Sequence, residues 1–182
     1  MTSLSPSEPS WSGFARQVIS VAVGRSSPSA VGPSPLEPRS HSGVFVTLHR
    51  VGRLRGCMGT LDDTLPVVEA VRHAALCAAL HDPRFPPVGD TELADLQLEV
   101  SILSPPHSMR SLDDLELGRH GIRIRRGPHH GLFLPQVAVE HHMDKETFLS
   151  RCCDEKAGLP ADAWRDPDTE VMLFSAAVFH EA

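Results

Sequence analysis

The sequence predicts an α+β protein, a mainly antiparallel sheet flanked by helices. Three observations predict it. Residues 43–58, 96–103 and 121–134 carry strand-like alternation or strand–turn–strand patterns. Residues 11–23 and 66–80 set apolar side chains at helical spacing. The two kinds of segment do not alternate regularly along the chain, which disfavours a doubly wound parallel sheet. With 182 residues, 41% of them hydrophobic and 22% charged, the chain can bury a sizeable core.

Residues 1–10 are rich in Ser and Pro and are expected to form a disordered tail, leaving 11–181 as one domain. Trp11, Phe14, Ala15, Val18, Ile19 and Ala22 form one helical stripe, which Gly24 ends. The proline- and serine-rich residues 25–42 read as a long loop. From Gly43 to Arg50, Val44, Val46 and Leu48 alternate with Phe45, Thr47 and His49. Val51-Gly52 suits a tight turn, with Arg53–Met58 returning as the partner strand. Asp62, Asp63 and Thr64 offer N-cap chemistry, and Pro66 suits the first turn of a helix reaching about Leu80. Cys77 falls on that helix's apolar face and reads as an inert core thiol.

Asp82-Pro83-Arg84-Phe85-Pro86-Pro87 follows, and its prolines hold a non-helical loop that fixes where Arg84 and Phe85 point. Leu96, Leu98, Val100 and Ile102 then alternate with a mostly polar face that includes Glu99. Residues 107–119 read as a loop or short turn. Gly121–Arg126 and Leu132–Leu134 flank a turn, and Pro135 opens a helical stretch, Gln136–Glu140. Asp144 can cap a further helix, with Phe148, Leu149, Cys152 and Ala157 on one face and Gly158 at its end. Of the adjacent Cys152 and Cys153, one should face the core. Glu170–His180 is apolar on both faces, as in a strand buried on both sides.

The chemistry concentrates in Leu54-Arg55-Gly56-Cys57-Met58-Gly59-Thr60-Leu61. Gly56 and Gly59 let another group approach the backbone closely. Arg55 is a permanent cation that could hold an anion or favour a thiolate. Placed at a strand end just before a helix, Cys57 would also feel that helix's N-terminal amides. It reads either as a nucleophile or redox thiol, or as a small residue in a glycine-bounded turn. A nucleophilic thiol needs a base or a lowered pKa; His73, His120, His129 and His130 are candidates by type. Arg55 and Arg84 could clamp a carboxylate or phosphate, or form structural ion pairs with Asp82 or Glu99. Glu99 could be a general acid or base, or an arginine's partner. Gln136 could anchor a helix start or touch a substrate.

The net charge of −6 argues against a general nucleic-acid binder. Arg123, Arg125 and Arg126 read as a solvated strand face. The adjacent pairs His129-His130 and His141-His142 lack the further spaced ligands a metal site needs, so neither a metal nor a cofactor is expected. No apolar run approaches the ~20 residues that span a bilayer. The N-terminal residues show neither the basic nor the apolar region of a signal peptide. Four cysteines without a C-x-x-C pair suit a reducing cytoplasm.

Several motifs carry a family resemblance. They are Gly43–Leu48, Leu54–Thr60, Asp82–Pro87, Leu98–Pro106, Gly131–Ala138 and Lys156–Leu159. In this order, spanning roughly residues 11–181, they resemble the AMMECR domain family, also called AmmeMemoRadiSam system protein A. Met58 replaces a more usual isoleucine, and Met143 stands where the family often has tryptophan. The resemblance implies an α+β fold of two unequal lobes with a cleft between them, lined by the Arg-Gly-Cys element. It also implies that a Memo-like protein and a radical SAM protein are encoded nearby, and it favours His120 slightly among the histidines.

Together these readings lead to the expectation of a cytoplasmic enzyme acting on a small anionic organic substrate. Cys57, His120 and Glu99 are the catalytic candidates; Arg55, Gly56, Gly59, Arg84, Phe85 and Gln136 are the substrate-binding candidates. The alternative is a non-catalytic adaptor whose groove binds a Memo-like protein. A nucleic-acid-associated regulator is a third reading, which the composition opposes.

Overall fold

The helical and strand periods sort the apolar side chains into two cores, and the chain divides into two compact units around them. The computed structural model describes residues 10–38 and 40–181, so the tail expected at 1–10 lies outside it except for Ser10. In order, the elements are α1 (Trp11–Ala22), β1 (Gly43–Arg50), β2 (Arg53–Thr60), α2 (Val67–Leu76), β3 (Leu96–Leu103), β4 (His107–Ser108), β5 (His120–Arg126), β6 (His129–Phe133), α3 (Pro135–Glu140), α4 (Lys145–Arg151) and β7 (Glu170–His180). Of the described residues, the first unit holds those up to Ile102 and from Ala177 onward; the second holds Leu103–Ala176. The β1–β2, β4–β7, β5–β6 and β5–β7 pairs are antiparallel, so the fold is the expected α+β.

In the first unit, Ser10 starts α1 by accepting the Gly13 N–H at 3.0 Å. Trp11, Phe14, Val18 and Ile19 of α1 pack with Val67, Val71 and Ala74 of α2. Against them lie Val44, Val46 and Leu48 of β1 and Leu96, Leu98, Val100 and Ile102 of β3. One face of this sheet is therefore apolar and covered, while the other carries Thr47, His49, Gln97 and Glu99. The strand order is β2-β1-β3, which makes β2 an edge strand. Val51 and Gly52 both take positive φ, 51° and 70°, as a two-residue hairpin turn requires. Pro66, not an aspartate, is the N-cap of α2. Asp62 instead closes its own turn, accepting the Thr64 N–H at 3.0 Å.

α2 loses its α pitch at Leu76 and continues as a π-helical turn, Cys77–His81. The wider turn rotates the face expected from a 3.6-residue period. Cys77 is consequently half-buried, not a core residue.

In the second unit β5 lies between β6 and β7, and β4 pairs with β7. Ile122, Ile124, Phe133, Phe148, Leu149 and Leu173 form its core, with Phe133 and Phe148 stacked at 5.6 Å. Asp144 caps α4 through the Thr147 N–H at 2.7 Å. This helix also changes to a π-helical turn, Cys152–Ala157, which buries both Cys152 and Cys153 where one was expected to face the core. Burial pushes the Cys152 thiol pKa up to about 12. Arg125 and Arg126 pair with Glu170 and Asp166 at 3.0 and 3.2 Å, as a solvated strand face would. β7 is buried at Val171, Leu173 and Phe174, with Met172 half-buried on the second face. Beyond Phe174 it opens, with Val178 39% exposed.

Candidate functional site

The thiol of Cys57 lies inside β2 opposite Thr47, not at a strand-to-helix corner. Two glycines among four residues conceal the alternation, because a glycine has no side chain to show which face it occupies. β2 runs on to Thr60 and α2 starts at Val67, so Cys57 is not at that helix's N-terminus. The helix end that does approach β2 is its carbonyl end. A Cβ on Gly56 would lie 2.2 Å from the Ala78 carbonyl oxygen, and one on Gly59 would lie 2.4 Å from the Phe45 ring. Both glycines thus admit neighbours from this chain.

Cys57 is half-buried on the sheet face that also carries Thr47, and Thr47 Oγ1 donates to its Sγ at 3.4 Å. On an edge strand, every second residue turns its peptide groups away from the sheet. At Cys57 these outward groups are met by the Asp82–Phe85 loop. Asp82 Oδ2 accepts the Cys57 N–H at 2.9 Å, and Arg84 Nη2 donates to the Cys57 carbonyl at 3.1 Å. Asp82 also accepts the Arg84 N–H at 3.0 Å, Arg84 Nε at 2.9 Å and Arg84 Nη2 at 2.7 Å. The Asp82 side chain is 2% exposed. The Arg84 guanidinium holds its pKa well below the usual carboxylate range, with help from the two main-chain N–H groups and against its burial. In return Asp82 raises the pKa of Arg84.

Arg55 is positioned by a bulge. Leu48 pairs with Gly56 and His49 with Leu54, so Arg55 has no partner on β1. Its Nε and Nη2 donate to the two Glu92 oxygens at 2.9 and 3.1 Å. Arg55 lowers the pKa of Glu92, aided by the Gly89 N–H and by Arg50. The guanidiniums of Arg55 and Arg84 lie over the Phe85 ring, 5.9 and 5.5 Å from its centroid. Arg55 Nη1 is buried and has no hydrogen-bond acceptor among the described residues.

Arg55, Gly56, Cys57, Gly59, Arg84 and Phe85 thus come together in the first unit. Glu99 shares the unit but sits on β3, two strands from β2 and so about 10 Å across the sheet. It accepts from Ser101 Oγ at 3.4 Å and lies 3.6 Å from His180 Nδ1, while Arg55 and Arg84 pair with Glu92 and Asp82. A cavity of about 580 Å³ opens there, with Arg16, His49, Gln97, Glu99, His180 and Glu181 among its walls. Arg16 donates through Nη1 to the Leu93 carbonyl at 2.7 Å and through Nη2 to Glu181 Oε2 at 2.6 Å.

His120 and Gln136 belong to the second unit. His120 Nδ1 accepts the Glu116 N–H at 3.1 Å, and its ring meets His107 edge-on at 5.9 Å. His73 lies beside Cys77, not Cys57, and His130 Nδ1 lies 3.2 Å from the Pro128 carbonyl.

The sequence presents Asp82 only as a partner for an arginine; its hold on the Cys57 amide appears in the fold. The clue is Asp-Pro-Arg itself, since an aspartate readily accepts the main-chain N–H two residues on. Glu92, Thr47, His49 and His180 are likewise not singled out by the sequence. Glu92 shows in sequence only as an acid in a short turn, and the other three only as polar members of alternating strands. Among the described residues, no group of three or more His, Cys, Asp or Glu side chains is arranged to hold a metal. No helix among them is long and apolar enough to cross a membrane.

The AMMECR1 family model matches residues 12–179. A protein of Methanopyrus kandleri is 47% identical over 148 residues, covering 76% of this chain and 71% of that protein. A Thermococcus onnurineus protein is 45% identical over 158 residues, covering 81% and 77%. The crystal structure of the uncharacterized protein PH0010 from Pyrococcus horikoshii superposes with a TM-score of 0.78 at 38% identity, covering 94% of this chain and 89% of that one. The chain belongs to the AMMECR1 family.

Proposed function

We propose that the protein is an enzyme that uses Cys57 on a small organic substrate offering an anionic or strongly accepting oxygen. The observation that supports it is the buried Arg55 Nη1, a donor without an acceptor among the described residues, beside Phe85 and the Cys57 frame. Such a group is costly to leave unmet, and a substrate oxygen would satisfy it. Arg84, whose side chain is 53% exposed, and Phe85 would complete the binding surface, while Gly56 and Gly59 admit the Ala78 carbonyl and the Phe45 ring. Cys57 would act as nucleophile or proton carrier. Of the acid–base candidates, Glu99 lies in the same unit as Cys57. The family resemblance supports action beside a Memo-like and a radical SAM protein. Free thiols at all four cysteines suit the cytoplasm.

Iodoacetamide should alkylate Cys57 faster than a free cysteine. A metabolite thermal-shift screen should find ligands that stabilise the wild type and whose effect drops in Cys57→Ser or Arg55→Gln. An unreactive Cys57, together with full function of Cys57→Ser in a deletion strain, would sink this reading.

A specific observation favours a second reading. Both guanidiniums already face carboxylates, Glu92 and Asp82, and the Asp82 frame also serves as a cap on a sheet edge. These features suit a non-catalytic module that binds a Memo-like partner. That reading predicts co-purification unaffected by Cys57→Ser.

A further inference from the structure

Cys77 and His73 form a pair that the proposed site does not use. They lie four residues apart at the end of α2, so the helix sets them on one stripe. Cys77 Sγ lies 3.6 Å from His73 Nε2, within hydrogen-bonding reach for sulfur. His73 is exposed and Cys77 half-buried, so a small reagent can reach the sulfur. Cys77 also opens the π-helical turn Cys77–His81, a local departure from α geometry often associated with functional positions. The other thiols differ: Cys57 has a hydroxyl neighbour, Thr47, and Cys152 and Cys153 are both 0% exposed.

We propose that Cys77 is an oxidation site for hydroperoxides, with His73 as its base. His73 Nε2 takes the thiol proton, and the thiolate attacks the terminal peroxide oxygen. The S–O bond forms as the O–O bond breaks. The leaving alkoxide or hydroxide recovers the proton from the imidazolium, giving a sulfenic acid and an alcohol or water. Sulfur is oxidised and the peroxide reduced, with no further reactant. The oxidised sulfur stands one residue before Ala78, whose carbonyl packs against Gly56. This proposal is independent of the role given to Cys57.

The test treats the full chain with hydrogen peroxide, traps sulfenic acid with dimedone and maps adducts by peptide mass spectrometry. The variants are His73→Gln, His73→Ala and Cys57→Ser. The expected result is a Cys77 adduct in the wild type and in Cys57→Ser, lowered severalfold in both His73 variants while labelling of Cys57 is unchanged. Cys152 and Cys153 report folding, since they should stay unlabelled in every native sample. A His73 variant that labels them is set aside, and the other decides. Equal Cys77 labelling with and without His73, or none in the wild type, overturns the proposal.

Discussion

Replacing Asp82 tests whether a buried carboxylate holds the Cys57 peptide in place. In Asp82→Ala the N–H groups of Cys57 and Arg84 lose acceptors at 2.9 and 3.0 Å. A hydrogen bond to a charged group contributes about 1.5–3 kcal/mol, and water recovers part of that at a half-exposed edge. The Arg84 side chain is 53% exposed and can rehydrate, so its lost ion pair adds little. The expected loss is therefore about 3 kcal/mol. At about 2–4 °C per kcal/mol for a chain of this size, the melting temperature should fall by about 6–12 °C. Asp82→Asn keeps one acceptor oxygen but turns an amide toward Arg84, and should lie between the wild type and Ala. The assays are circular-dichroism melts and hydrogen exchange at the Cys57 amide, which should lose protection. A melt within about 2 °C of the wild type would refute the reasoning.

The same carboxylate sets a pH dependence. Its folded pKa is depressed, chiefly by the Arg84 hydrogen bonds. Its contribution is therefore fully present above the unfolded value of about 3.9 and is lost as pH falls toward the folded one. The stability gap between wild type and Asp82→Asn should be flat above about pH 5 and narrow below about pH 4. A gap that widens on acidification would contradict this.

The remaining predictions concern packing and thiol access. Gly56→Ala should cost about 3 kcal/mol, because its Cβ would meet a main-chain oxygen at 2.2 Å. Gly52→Ala, with φ of +70° and nothing within 4 Å, should cost only about 1 kcal/mol; equal losses in denaturant titrations would show that Ala78 yields freely. Cys152 and Cys153 should resist iodoacetamide in the native protein and react after denaturation, since burial raises both pKa values. Native labelling at either would show that the second core opens.

The sequence by itself determined the α+β class, the α1 and α2 stripes, the Val51-Gly52 turn, the β3 alternation and the family. These rest on the chemistry of residues a few positions apart, where helix and strand periods and family motifs are written. It also marked Cys57, Arg55, Arg84 and Phe85 as neighbours worth attention. Only the tertiary structure decided what each of them touches. Arg55 meets Glu92 37 residues away, and Asp82 reaches the Cys57 amide across 25 residues. No local pattern encodes which distant carboxylate arrives. The bulge that frees Arg55 from β1 is a matter of register between strands, which periodicity in one strand cannot report. The π-helical turns at Cys77 and Cys152 likewise depart from the 3.6-residue period on which the helical reading depends: Cys77 is half-buried outside the core, and Cys153 is buried along with the expected Cys152.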